Sequence, residues 1–176
     1  TMVFDAESGN LTNLGTYFYG YNDQANGGAS VIEPLDPFTM TSPGADGTDS
    51  AAVAEFTLGK GTLSYDPLVG VGFDLAPMVN SQKVPLDLTG STGLTFWYKG
   101  PACSLEAGLA TVTDYCNYYA SVDASADWTE INILWSDFVQ PAWGAQVDWD
   151  LTQVTQFQWK IQGADLTTGV ISLDQV

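Results

Sequence analysis

Apolar and polar positions alternate in short runs along most of this chain, and helical spacing is scarce. The most regular run covers residues 154–163, where Phe157, Trp159 and Ile161 alternate with Gln158, Lys160 and Gln162. Successive side chains of a strand point to opposite faces, so the run predicts a strand with three large apolar groups on one side and three long hydrogen-bonding groups on the other. One face reads as core, with Trp159 in it. The other is either a solvated surface or the floor of a polar binding site.

The same alternation predicts strands at residues 17–21, 51–58, 69–75, 94–99, 104–112, 118–122, 129–135 and 170–176, bounded by Gly, Pro, Asn and Asp. Residues 22–30, 34–48 and 136–151 read as connections, and Trp128 is assigned to the core with Trp159. In residues 69–75 the apolar row of Val69, Val71, Phe73 and Leu75 faces away from Gly70, Gly72 and Asp74. Two glycines on one strand face mark either a close approach to the backbone or a bend in a curved sheet. Many short strands without a long helix predict an all-β sandwich, and 176 residues suit one domain, 1–176.

Charge narrows the partners. Four lysines (Lys60, Lys83, Lys99 and Lys160) stand against 21 acidic residues, for a net charge of -17. Such a field repels phosphate backbones and anionic lipid surfaces, which argues against nucleic-acid or membrane binding and leaves neutral ligands and cations. Histidine is absent, so serine-histidine and cysteine-histidine catalysis are excluded, while carboxylate-only chemistry such as glycoside hydrolysis survives. No apolar run is long enough for a membrane-spanning helix, and the opening Thr1-Met2 reads as a trimmed start, compatible with a removed leader. Cys103 and Cys116 are the only cysteines, and their spacing predicts a disulfide contributing about 3 kcal/mol and an oxidising, secreted location.

Several segments resemble those of family 11 carbohydrate-binding modules and related jelly-roll domains of bacterial plant-cell-wall enzymes. They are Leu88-Thr89-Gly90 running into residues 93–100, Trp128 with Ile131, Ile133 and Ser136-Asp137-Phe138, residues 150–161, and the closing 171–176. Their order and spacing match over most of the chain. The resemblance implies a jelly-roll β-sandwich that binds polysaccharide, performs no chemistry and is covalently linked to catalytic modules; a monomer is expected. Basic residues that some members carry after the Ser136-Asp137-Phe138 segment are replaced here by Val139, Gln140, Pro141 and Trp143, so ligand preference does not transfer.

A polysaccharide offers flat C–H faces and a fringe of hydroxyls, and calls for exposed aromatic rings beside amide, carboxylate or ammonium groups. The resemblance places ligand contacts among Tyr17, Tyr19 and Tyr21, which share a strand face, and at Trp143 in the connection bordering the family's cleft. Trp97 and Tyr118 are further candidate rings, with Tyr115 and Tyr119 competing for the place of Tyr118. Gln158, Lys160, Gln162, Glu106 and Gln140 are candidate polar contacts, the first three if their strand lies in the sheet that carries the site. In jelly-roll modules the termini lie side by side and a calcium often joins them, which carries over to Asp174, then Asp5 and Glu7, with Asp49 as a loop candidate for a structural Ca²⁺.

The leading expectation is a non-catalytic, secreted module that recognises β-glucan, such as cellulose or mixed-linkage chains, in a cleft on one sheet. A structural or protein-interaction jelly roll is the first alternative. A small carboxylate-based glycoside hydrolase is the second, disfavoured because the acidic residues sit in loops and termini rather than as paired strand carboxylates.

Overall fold

The run that alternates most regularly becomes the central strand of a five-stranded sheet. The computed structural model describes all residues, Thr1–Val176. Its strands are β1 (Phe18–Asn22), β2 (Val31–Glu33), β3 (Met40–Thr41), β4 (Ala51–Thr57), β5 (Leu68–Asp74), β6 (Gly93–Gly100), β7 (Cys103–Leu109), β8 (Tyr118–Val122), β9 (Ser125–Leu134), β10 (Val154–Gln162) and β11 (Thr168–Asp174). There is no α-helix, only short 3-10 turns at Gln24–Asn26 and Trp135–Asp137.

Two antiparallel sheets result. One runs β1-β5-β10-β7-β8; the other runs β2-β4-β11-β6-β9, with β3 added against β4. Most neighbouring strands are distant in sequence, as in a jelly roll, and the two sheets enclose one core cluster of 30 buried residues. Trp159 of β10 joins them: its ring lies 6.1 Å from Phe73 in its own sheet and 5.1 Å, edge-on, from Phe96 in the other. Phe157 and Ile161 are buried beside it, so the predicted apolar face is the inter-sheet core. The termini also pair, with the Val3 and Phe4 N–H groups both donating to the Val176 carbonyl.

Three expectations need correction. The connection predicted at residues 34–48 contains β3, and β2 precedes it unpredicted, because edge strands of two or three residues are too short to show an alternation. β9 starts at Ser125, and its register sets Trp128 on the face of Glu130 and Asn132, opposite Ile131 and Ile133; Trp128 is half-buried on the outer surface rather than in the core.

The disulfide does not exist. Both cysteines are free. Cys103 begins β7 opposite Val122, whereas Cys116 lies just before β8, near the strand end marked by the Ala107–Tyr118 pair. Half a dozen residues of strand separate them, about 20 Å, against a Cα separation of at most about 7 Å for a disulfide. Cys116 Sγ instead lies 3.2 Å from the Pro141 carbonyl, and burial pushes the Cys103 thiol up to about 12.

Candidate functional site

The register of the five-stranded sheet assembles a polar face opposite its core face. Across β1, β5, β10, β7 and β8 one row reads Tyr19, Gly72, Gln158, Glu106, Tyr119, and the next reads Tyr21, Gly70, Lys160, Ser104, Ser121. At the strand spacing of a sheet each row spans about 19 Å. Asp74 and Gln156 face each other in a third row on the same side.

These side chains are tied to one another. Gln158 donates to the Tyr19 hydroxyl at 3.0 Å, and Gln156 donates to Gln158 at 3.2 Å. Lys83, from the connection between β5 and β6, pairs with Asp74 at 2.7 Å, hydrogen-bonds Gln156, and lies 6.0 Å from the Tyr19 ring centre. Lys160 pairs with Glu106, which also accepts the Asn117 amide at 3.4 Å. Burial, reinforced by the Asp74 charge, raises the Tyr19 phenol well above its usual range, so it stays a neutral hydrogen-bonding group.

The glycine row has a local explanation. A side chain at Gly70 would collide with the phenol end of Tyr21, the residue paired with it across β1 and β5, so the ring lies over β5 where only glycine leaves room. The close approach is therefore intramolecular. The Tyr21 hydroxyl is buried with no hydrogen-bond partner, and burial, with Glu106 as the next cause, raises its pKa. A buried, unpaired hydroxyl costs about 1–3 kcal/mol.

Of the sequence-predicted contacts, the structure brings together Tyr19, Tyr21, Glu106, Gln158 and Lys160. Tyr17 stands at the rim, 62% exposed, beside a recess of about 530 Å³ that it shares with Tyr19, Leu35 and Pro37. Gln162 is at the far end of β10, donating to the Asp66 carbonyl. Trp143 is 67% exposed on a connection whose next residue packs against Asp114 and Cys116, which puts it at the corner where β8 begins, as is Tyr115, 85% exposed.

Three candidates fall elsewhere. Trp97 belongs to β6 and pairs with Glu130 and Asp174, so it lies on the outer surface of the opposite sheet. Tyr118 has the parity of Ala120 and Val122 and turns inward, its ring tilted against Trp149 at 4.8 Å and its hydroxyl donating to the Val147 carbonyl at 2.7 Å. Gln140 is consumed as a staple: its amide donates to the Cys116 and Ala145 carbonyls and accepts the Val147 N–H. Sequence reasoning missed Lys83, Gln156, Asp74 and Asn117, and held Tyr119 only as a competitor of Tyr118; the alternation around Asp74 and Gln156 is the signal for those two, while Lys83 sits in a connection without periodicity.

A groove of about 540 Å³ on the six-stranded sheet, lined by Glu33, Glu55, Thr57 and Val170, carries no exposed aromatic ring and lacks the chemistry of a sugar platform.

The predicted calcium ligands are partly collected. Asp174 is fully buried without a basic partner: one oxygen accepts the Ala45 N–H (2.8 Å) and the Thr48 hydroxyl (2.6 Å), the other the Gln175 N–H. Desolvation raises its pKa and the nearby Glu7 charge adds to the rise. Glu7 accepts the backbone N–H groups of Asp49 and Ser50, and Asp5 accepts that of Glu7. No three carboxylate, histidine or cysteine side chains gather at metal-binding spacing. A buried carboxylate beside a second one, with no counter-charge, still fits the chemistry of a hard cation.

No protein-family model matches the chain. The whole chain is 34% identical over 182 aligned residues to Endoglucanase 3 of Fibrobacter succinogenes, and it spans 27% of the length of that curated relative. Among solved structures, a family 11 carbohydrate-binding module of a cellulosomal cellulase from Clostridium thermocellum matches with a TM-score of 0.60 at 16% identity, covering 99% of this chain and 91% of that one. A family 11 module from the same organism, in complex with a β-1,3-1,4-mixed-linked tetrasaccharide, matches with a TM-score of 0.56 at 14% identity, over 90% and 85% of the two chains. The chain thus has the antiparallel β-sandwich fold of the family 11 carbohydrate-binding modules.

Proposed function

We propose that this protein is a non-catalytic carbohydrate-binding module that holds a β-glucan chain on the outer face of its five-stranded sheet and directs an attached catalytic module to plant cell wall polysaccharide. The observation that carries the reading is the row Tyr19, Gln158, Glu106 and Tyr119 with the Tyr21 ring laid beside it: aromatic rings at both ends flank hydrogen-bonding groups over a length that suits several consecutive sugar units. The fold shared with the mixed-linkage tetrasaccharide complex and the likeness to a segment of an endoglucanase favour a β-glucan and linkage to an enzyme. Work on cell wall polymers also implies a secreted protein. Tyr17, Trp143 and Gln162 form the outer rim of the site, where a longer chain would reach them.

Gel retardation over cellulose derivatives, mixed-linkage glucan, xylan, xyloglucan and mannan tests the reading. Retardation by the β-glucans without release of reducing sugar is the expected result, whereas migration unchanged in every gel would favour a protein-interaction role for the sandwich.

We also propose that a structural Ca²⁺ is held by Asp174 and Glu7; Asp5 and Asp49 meet Glu7 through backbone N–H contacts and stand behind them. Without the ion, a raised folded-state pKa means that Asp174 stabilises the fold only while protonated, and that contribution is lost as pH rises through its pKa. The ion reverses the sign. A chelator at neutral pH is therefore expected to lower the melting temperature, with a smaller drop in acid; an unchanged melting temperature at neutral pH would remove the calcium.

A further inference from the structure

The two cations on the candidate binding face are both committed. Lys160 pairs with Glu106, and Lys83 pairs with Asp74 at 2.7 Å. Both carboxylates are sequestered, with side chains 10% and 11% exposed, and the lysines lie above them at 25% and 39%. The remaining basic residues are elsewhere: Lys60 follows β4 in a turn, and Lys99 projects from the outer surface of the six-stranded sheet. The face therefore contains polar groups of both signs and no positive charge free to receive an anion.

This arrangement treats neutral and acidic sugars differently. A sugar hydroxyl can donate to a remaining lone pair of Glu106 or accept from Lys160 while the ion pair stays intact. A uronate must either approach two sequestered carboxylates, which repel it, or detach a lysine and leave a carboxylate desolvated and unpaired. The net charge of -17 adds repulsion from a distance.

We propose that Glu106 and Asp74 are specificity-determining residues which, by neutralising Lys160 and Lys83, restrict this face to uncharged glycan chains and exclude chains bearing uronate groups. The inference rests on the polysaccharide-binding reading above. It assigns the carboxylates a role in rejection beyond any contact with the accepted ligand, and removal of one carboxylate converts its lysine from a spent charge into an anion-seeking one.

The probe is mixed-linkage β-glucan before and after oxidation of its C6 alcohols to carboxylates, titrated calorimetrically into the wild type, Glu106→Gln and Asp74→Asn. The wild type is expected to bind the oxidised polymer at least ~10-fold more weakly than the neutral one. Each variant is expected to narrow that ratio to within ~3-fold, its binding to the oxidised polymer weakening as sodium chloride is added. Equal binding of both polymers by the wild type would overturn the inference while leaving the polysaccharide reading intact, as would variants that keep the wild-type ratio. Should one variant fail to fold or bind neither polymer, the ratio measured with the other decides. Absence of wild-type binding to the neutral polymer would instead overturn the underlying reading, and the inference with it.

Discussion

The outer faces of the two sheets start from the same kind of sequence and end with different chemistry. Both alternate with the core, both carry aromatic and charged residues, and each displays a lysine from a long regular strand: Lys160 on β10, Lys99 on β6. On the five-stranded sheet the long side chains bind one another, and both ion pairs of the molecule lie there. On the six-stranded sheet Glu33 stands directly opposite Glu55, and Trp97 opposite Glu130, with no ion pair. Like charges facing each other across strands are tolerated only when water solvates them, so the Glu33–Glu55 part of that face reads as solvated surface. The difference lies in preorganisation rather than polarity, and this is what favours the five-stranded face as the proposed binding face: side chains held in place lose less freedom when a ligand arrives.

Substitutions that disturb one face and spare the other test this distinction. Tyr21→Ala removes the ring laid over β5 and is expected to weaken mixed-linkage glucan binding ~30-fold, about 2 kcal/mol, as measured by calorimetry. Gly70→Val leaves the tyrosine in place but fills the space under it, and a loss of ~10-fold is expected because the ring must lift off the sheet. Gln140→Ala cuts the staple that holds the connection bearing Trp143, for an expected loss of ~3-fold that grows with ligand length. Trp97→Ala, on the opposite sheet, is expected to change affinity by less than ~2-fold. A Trp97 effect as large as that of Tyr21 would erase the contrast between the faces.

Much of the fold is legible in the sequence because burial imposes the alternation. Phe157, Trp159 and Ile161 show their core face from spacing alone, and the many short strands suffice for a sandwich, while the jelly roll is implied by the resemblance to family 11 modules. What alternation cannot encode is which sheet a strand joins. Trp97 and Gln158 present equivalent patterns, yet β6 and β10 lie in opposite sheets, and the difference arises from pairings between residues far apart in the chain.

The same limit explains the cysteines. Their spacing permits a cross-hairpin bridge only if both are equally far from the turn, and the β7–β8 register instead places Cys103 beside Val122. Tyr118 fails by a single residue of parity, with Tyr119 on the site face in its place. Lys83 was hidden for another reason: it reaches the face from a connection, where no periodicity announces the direction of a side chain.

The central claim is that the glycan lies on the outer face of the five-stranded sheet. Titration of a mixed-linkage tetrasaccharide into isotopically labelled protein, followed by NMR, locates it directly. The account predicts shifts concentrated at Tyr19, Tyr21, Gln158, Lys160 and the Gln156 side-chain amide, with Trp97, Lys99 and Asn132 unmoved. Shifts clustered at Trp97, Lys99 and Asn132 with the first group silent would contradict it.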